Sequence, residues 1–437
     1  MVLEEVSMKR KFFFGSLILF ALIFYSTSNF SISVGNKSFA RNTNSYKDLS
    51  VFTEVLSLIE QNYVKKVEPE KVIRGAINGM LRSLDPHSGY MTPEMFKQMQ
   101  VETSGQFGGL GITITLRKAV LTIVSPIEGT PAFRAGVKAK DQIVKINGKS
   151  TKGITIYEAV KKLRGRPGST VMITIYRRST KKVFDLSIVR EIVKIKSVKS
   201  RLVEGKIPYI RIRNFQSRTA REVRTELNKM NKYHKNGLII DLRNNPGGLL
   251  SQAVAVSELF LPVGKLIVYT KGRIVNQNRK FLSKESEGIQ ETPIVIIVNA
   301  GSASASEIVA GALQDWKRAT VIGEKTFGKG SVQTVMPLLD GSGLRLTTSL
   351  YFTPKNRLIQ GIGIEPDIKV LDPATKNKSI VREKDLPRHL RSKRKKINNN
   401  IKEKRDEKSN ITFKNKDGVK DYPLERAVIF LKKSTRR

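Results

Sequence analysis

Two short stretches carry the residue types that acyl transfer needs. The first is built around Ser304. An apolar run, Ile294 to Val298, is β-branched and bounded by Pro293 and Asn299, which predicts a strand buried on both faces. Asn299, Ala300 and Gly301 turn the chain, and Ile308, Val309, Ala312 and Leu313 then recur at helical spacing until Gln314 and Asp315. A serine on such a tight strand-to-helix turn is exposed beside the positive end of a helix dipole, where a nucleophile is wanted. Small neighbours, Ala303 and Ala305, allow a substrate backbone to come close.

That hydroxyl needs a base, and few are on offer. The chain has no cysteine and three histidines, His87, His234 and His389. The second stretch, Thr326 to Gln333, sets Lys329 between two glycines ahead of a strand-like run. A lysine serves as a base near neutral pH only when desolvation lowers its pKa, and flanking glycines permit the close approach that would bury it. On an extended segment Lys329, Ser331 and Gln333 share one face, so Gln333 is expected to orient the Lys329 amine. The same residues also fit a plainer pattern, in which the serines cap a helix and Gly-Lys-Gly is a surface turn.

The run GSASASE followed by GEKTFGKGSVQ resembles the active-site signature of the carboxy-terminal processing peptidases, serine endopeptidases with a Ser/Lys dyad and an embedded PDZ domain. The resemblance covers about Tyr46 to Val370 and parts of the tail. It implies Ser304, not Ser302 or Ser306, as nucleophile, Lys329, not Lys325, as base, and Gln333 as the third member. It also places the turn Asn245-Pro246-Gly247-Gly248 against the nucleophile. Gly247 or Gly248 would then supply one oxyanion N–H and Ala305 the other. Which glycine donates is left open. Asp241 and Arg243 are expected as a buried pair holding that turn. His87 lies in an Asp-Pro-His-Ser turn that the family has outside its dyad, and it is expected to be structural.

The fold expected is an α/β peptidase core over residues 190–370, made of strand–turn–helix units on a largely parallel sheet, with an inserted PDZ domain over 102–189 and an N-terminal helical segment over 46–100. In that segment Phe52, Val55, Leu56 and Ile59 would form one apolar face and Val72, Ile73, Ala76, Ile77 and Met80 another. The PDZ pattern runs from FGGLGITITL through the short helix after SPIEG and the Ile-Asn-Gly hairpin to a second helix at Tyr157 to Leu163. Gly108, Gly109, Leu110, Gly111 and Ile112 are the expected carboxylate loop, where backbone N–H groups form a nest and a peptide adds a strand along Ile112 to Leu116. Lys140-Asp141 stands where PDZ domains usually have Gly-Asp. Residues 371–437 are expected to be a basic tail, partly disordered between Arg388 and Asn410, with an amphipathic helix on Leu424, Ala427, Val428 and Leu431. In relatives such tail elements pack with the N-terminal helices at a dimer interface, so a homodimer is among the expected partners.

Charge and leader bear on location. The formal net charge is +41, yet the segment from Lys376 onward holds only 22 Lys/Arg against 8 Asp/Glu, so most of the excess lies elsewhere. No basic run is interleaved with aromatic residues for base stacking, and no nucleic-acid partner is expected. Peripheral attraction to an anionic membrane stays open. Lys9, Arg10 and Lys11 precede an apolar core, Phe12 to Tyr25, with Ser38-Phe39-Ala40 as a cleavage site, so residues 1–40 read as a signal peptide. Fourteen apolar residues are short for a span of about twenty, but the mild polarity of Ser26 to Val34 leaves an uncleaved anchor as the alternative.

The expected activity is that of an exported, periplasmic or envelope-located serine endopeptidase acting on protein substrates with exposed apolar C-termini. The family implies no metal and no organic cofactor, and a PDZ that gates the site by shifting. The alternative is a non-catalytic PDZ-bearing adaptor on a peptidase-like scaffold.

Overall fold

The computed structural model describes residues 43–284, 291–371, 381–390 and 421–435. The leader and most of the charged run between Arg388 and Asn410 lie outside them. The chain divides into two compact units at Ala76/Ile77. The first holds helix Thr43–Asn62 and the start of helix Pro69–Arg82, which opens on proline with Glu70 in its first turn. The second unit contains everything discussed below.

Its centre is a six-stranded sheet in the order Val198–Val203, Ile207–Ile212, Leu238–Asp241, Ile294–Val298, Ala319–Gly323, Ile368–Lys369. The first pair is antiparallel and every later pair is parallel. Strand Ile294–Val298 is buried at all five positions, because alternate side chains enter different cores. Ile210, Ile212, Ile240, Ile296 and Val298 face Val223 and Leu227 of helix Thr219–Lys229, Ala253 and Val256 of helix Leu250–Glu258, and Ile308 and Leu313 of helix Ala305–Asp315. Tyr209, Ile239, Val295 and Ile297 face Leu424, Ala427, Val428 and Leu431 of helix Tyr422–Ser434. That last helix, grouped in the sequence with a basic tail, is therefore a layer of the core. Burying its four apolar residues is worth about 1.5–3 kcal/mol for each large side chain.

A buried ion network fixes the helix to the sheet. Arg243 donates from Nη1 to Asp421 Oδ1 (2.7 Å) and from Nη2 to Asp241 Oδ2 (2.6 Å), while Tyr209 O–H donates to Asp241 Oδ2 (2.5 Å). Asp421 also caps the helix by accepting the Leu424 N–H. The expected Asp241–Arg243 pair is thus extended by a third residue from far along the chain.

An antiparallel sheet lies beside the first, built on strand Gly343–Phe352 with Gly89–Met91, Leu266–Gly272 and Ser331–Pro337 paired to it and Lys280–Leu282 paired to Leu266–Gly272. Strand Ser331–Pro337 places the segment that carries Lys329.

The inserted domain has a sheet of its own in the order Ile112–Arg117, Val120–Pro126, Gln142–Ile146, Thr170–Arg177, Lys182–Val189. It leaves and rejoins the core through a ribbon in which Gln106–Gly109 pairs antiparallel with Glu191–Lys194. Helix Ile156–Leu163 begins at a reciprocal cap, with Glu158 N–H donating to Thr155 Oγ1 and Thr155 N–H to Glu158 Oε2. Lys140 adopts φ +70°, the left-handed conformation that glycine usually takes at that turn, at a cost of about 1 kcal/mol. Asp141 behind it is buried and paired with Arg177.

Candidate active site

Of the three serines in the Ser-Ala-Ser-Ala-Ser run, two have structural partners. Ser302 Oγ donates to the Leu242 carbonyl (2.8 Å) and Ser306 Oγ to the Asn245 carbonyl (3.0 Å), and both residues are fully buried. Ser304 is half-buried, and its hydroxyl caps no amide. Its backbone sits at φ 54°, ψ −112° immediately before helix Ala305–Asp315. A non-glycine residue there is strained, and strain of this kind collects at functional sites. Ala305, at the first helical position, has an N–H with no intrahelical acceptor.

The turn Asn244–Gly248 lies against Ser304. Ala303 N–H donates to the Asn245 carbonyl, and Asn245 Nδ2 to the Ile212 carbonyl. Gly247 has φ 103°, and a Cβ on it would come within 2.8 Å of Ser304 Cβ and 3.0 Å of Ala305 N. The Gly247 N–H is already taken by Asn245 Oδ1 at 2.9 Å. Gly248 forms a parallel bridge with Phe215, in which Phe215 N–H donates to the Gly247 carbonyl and Leu249 N–H to the Phe215 carbonyl. That pattern uses the groups on either side of Gly248 and turns its own N–H away from Phe215.

Glu307, three residues after Ser304, binds the two stretches together. Its Oε2 accepts the N–H of Ser304 (2.8 Å) and of Lys329 (2.9 Å), and its Oε1 accepts the N–H of Gly328 (2.7 Å) and the hydroxyl of Thr326 (2.5 Å). The spacing Ser-x-x-Glu is that of a capping box, with one half missing: the Glu307 N–H bonds the Ser304 carbonyl, leaving the hydroxyl uncommitted. This is the residue that sequence reasoning missed, and the capping-box spacing was the signal for it. Glu307 is fully buried, and burial pushes its pKa up to about 7 against the pull of Thr326 and the three amides.

Lys329 lies in the loop before strand Ser331–Pro337. Burial is the main cause that holds its amine below the ordinary lysine range, and the charge of Arg345 adds to it; Glu383, Asp85 and Glu307 oppose. The backbones of Ser304 and Lys329 meet through one carboxylate oxygen, but no hydrogen bond joins Ser304 Oγ to Lys329 Nζ. Ser331 and Gln333 share a face as expected, and Lys329 lies before the strand, which begins at Ser331. Gln333 Nε2 donates to Ser331 Oγ (2.9 Å) and reaches Thr347 Oγ1 (3.5 Å), not the Lys329 amine. Thr347 in turn donates to Asp85 Oδ1 at 3.1 Å.

In the inserted domain, Gly108 and Gly109 belong to the ribbon strand, which leaves Leu110 and Gly111 as the loop that leads into Ile112 at the start of strand Ile112–Arg117. The Leu110 carbonyl accepts the Ala132 N–H and the Gly111 carbonyl accepts the Ile127 N–H. A trans peptide points its N–H opposite its carbonyl, so the amides of Gly111 and Ile112 face the other way. Gly111 has φ +76° and packs so closely on Thr130 that a Cβ would be 2.3 Å from it. Strand Ile112–Arg117 is the edge of its sheet.

The model of peptidase family S41 matches residues 206–370, that of the PDZ domain matches 108–188, and that of the activating protease CtpB N-terminal domain matches 14–95. A carboxy-terminal-processing protease of Bartonella bacilliformis is 48% identical over 334 residues, 76% of this chain and 76% of the relative. The chain belongs to the carboxy-terminal processing proteases. A second member, the carboxy-terminal processing protease CtpA of Bacillus subtilis, is 37% identical over 81% of this chain and 75% of its own. Among solved structures, a photosystem II D1 C-terminal processing protease is 30% identical, covering 74% of this chain and 92% of its own at a TM-score of 0.42. As a carboxy-terminal processing protease, the chain is a serine-type peptidase, with an S41 core and a PDZ domain inserted before it.

Proposed function

We propose that this protease is an exported endopeptidase that holds the C-terminus of a protein substrate on its PDZ domain and cuts with Ser304 as nucleophile and Lys329 as base. The observation that carries the reading is the Glu307 carboxylate shared by the Ser304 and Lys329 amides. The free hydroxyl of Ser304 beside two structural serines supports it further.

In this reading the neutral Lys329 amine takes the hydroxyl proton as Ser304 Oγ attacks the peptide carbonyl. Gly248 and Ala305 donate to the oxyanion, since the Gly247 amide is committed to Asn245. Lys329 returns the proton to the leaving amine, and water then resolves the acyl-enzyme with the same base. Gln333 acts at one remove, through Ser331 and the Thr347–Asp85 contact. On the PDZ domain the outward amides of Gly111 and Ile112 receive the substrate carboxylate, and its chain adds to edge strand Ile112–Arg117. The missing Oγ–Nζ bond fits a site that tightens when substrate arrives.

The test is digestion of an unstructured protein ending in apolar residues, with its C-terminus free or amidated. Wild type should cut, and cut the amidated form more slowly; Ser304→Ala and Lys329→Ala should not cut. Equal cutting by all three would end the dyad assignment, and indifference to amidation would end the role given to the PDZ. Export is tested separately by fractionating cells that make the tagged full chain, where a wholly cytosolic product counts against it.

A further inference from the structure

The loop that carries Lys329 is held from two sides, and only one of them belongs to the nucleophile helix. On the other side lies the segment Val381–Leu390, which packs along the loop. Arg382 Nη1 donates to the carbonyls of Lys325 (2.6 Å) and Thr326 (2.7 Å), and the Glu383 N–H donates to the Phe327 carbonyl (3.2 Å). Gln360, fully buried, accepts the Gly330 N–H on Oε1 (2.9 Å) and donates from Nε2 to Glu383 Oε1 (2.7 Å). Gly330 lies so tightly on Gln360 that a Cβ would come within 2.2 Å of its backbone nitrogen.

Glu383 itself is fully buried, and its other partner is His87, whose Nε2 lies 2.9 and 2.8 Å from the two carboxylate oxygens. An ionised carboxylate only accepts, so His87 presents an N–H there. The carboxylate therefore has a donor from each side, and an internal anion persists only with such partners. Three backbone carbonyls and one amide of the Lys325–Gly330 loop are thus fixed by two consecutive residues and one glutamine. None of these contacts touches Ser304.

We propose that Glu383 is a positioning residue for Lys329: it fixes the base loop through Gln360 and holds a negative charge against that loop, with His87 keeping the carboxylate in place. The inference rests on the reading of Lys329 as base. The charged groups acting on Lys329 are Arg345 from strand Gly343–Phe352, Asp85 from the turn that also carries His87, Glu307 from the nucleophile helix and Glu383 from the packed segment. Arg345 Nε donates to the His87 carbonyl, so the opposing cation is tied to the same turn. Burial works against the Glu383 charge, but the bonds from His87 and Gln360 and the charge of Lys329 outweigh it and hold its carboxyl below the usual range. An anion at that place keeps a proton on the lysine and so delays the pH at which the base becomes available.

The test measures kcat and KM across pH for the full chain carrying Glu383→Gln or Glu383→Asp, beside wild type and Lys329→Ala, with thermal unfolding of each. For Glu383→Gln, which keeps the shape and removes the charge, plateau kcat should fall about tenfold with KM unchanged. The acid limb should move about one pH unit lower. Glu383→Asp keeps the charge but is a methylene too short for both partners; its limb should stay and its kcat should fall. An unmoved limb in Glu383→Gln, or a loss shared equally by kcat, KM and melting temperature, would reduce Glu383 to scaffold. If Glu383→Gln does not fold, Glu383→Asp decides: wild-type kcat overturns the inference, and reduced kcat at wild-type KM supports it. Activity in Lys329→Ala would overturn the dyad instead, whatever Glu383 does.

Discussion

The Glu307 carboxylate accepts the backbone N–H of Lys329 at 2.9 Å, with the same oxygen that accepts the N–H of Ser304. The helix that begins at the proposed nucleophile therefore also fixes where the proposed base stands. Lys329 is 25 residues later in the chain, in the loop that leads into the antiparallel sheet, yet the two backbones share one acceptor. One buried side chain, that of Glu307, thus links the two positions directly.

That side chain gives a pH signature. Burial raises Glu307 to about 7, and a raised acid favours folding in its protonated form. The sign follows: the contribution is whole below the unfolded carboxylate value of about 4.3 and is lost as pH rises through about 7. Glu307→Gln cannot ionise. Its stability relative to wild type should climb by on the order of 3 kcal/mol across that window and run level above it. An amide nitrogen facing one of the four donors adds a constant penalty of about 1–3 kcal/mol. Urea unfolding at a series of pH values reads both. A difference that stays flat from pH 4 to 8 would show the carboxyl is not perturbed.

Lys329 sets the second. Because burial and Arg345 depress its amine, kcat/KM should rise with pH along a limb well below the free lysine value of about 10.4. Lys329→Arg should lose at least about a thousandfold, since a guanidinium cannot give up its proton. A limb at the free-lysine position, or an active arginine variant, would remove Lys329 from the chemistry.

Gly247 offers a steric test. Gly247→Ala puts a methyl group 2.8 Å from Ser304 Cβ on a backbone at φ 103° and should lower activity about a hundredfold. Gly205→Ala, at φ +70° with open space around it, should cost about 1 kcal/mol of stability and no activity. Matching losses in the two variants would mean that backbone strain, not proximity to Ser304, is responsible.

Arg243 gives a stability prediction. Arg243→Ala leaves Asp241 and Asp421 facing each other without their shared cation, which should cost about 3–5 kcal/mol. Adding Asp421→Asn should then cost less than it does alone, because the partner it loses is already gone. Additive costs in denaturant melts would place the two residues in separate networks.

The α/β core and the family signature around Ser304 and Lys329 were legible because each signal is local: a buried strand followed by small residues and a helix, or a lysine between glycines. Glu307 was legible in principle from its spacing to Ser304. Glu383 and Gln360 were not, since neither has a local motif and their roles arise only where distant segments pack. Gln333 bonds Ser331 and Thr347 and not the Lys329 amine, and Lys329 precedes the strand over which side chains alternate. The proposed choice of Gly248 over Gly247 rests on the hydrogen bond to Asn245, which no pattern of residue types encodes. The last helix was recognised by its apolar periodicity, but periodicity does not say which surface receives it.

That helix also imposes an order on biosynthesis. Its residues Leu424, Val428 and Leu431 cover one face of the strands that end at the Asn244 and Asn299 turns, and Asp421 completes the Arg243 network. A ribosome making the chain from its N-terminus delivers Ser304, Lys329 and the PDZ domain long before residue 431. Until that residue emerges, the sheet beneath the cutting site has a bare apolar face and a guanidinium with one carboxylate of its two. A half-made protease is thus denied the rigid floor its catalytic turns stand on.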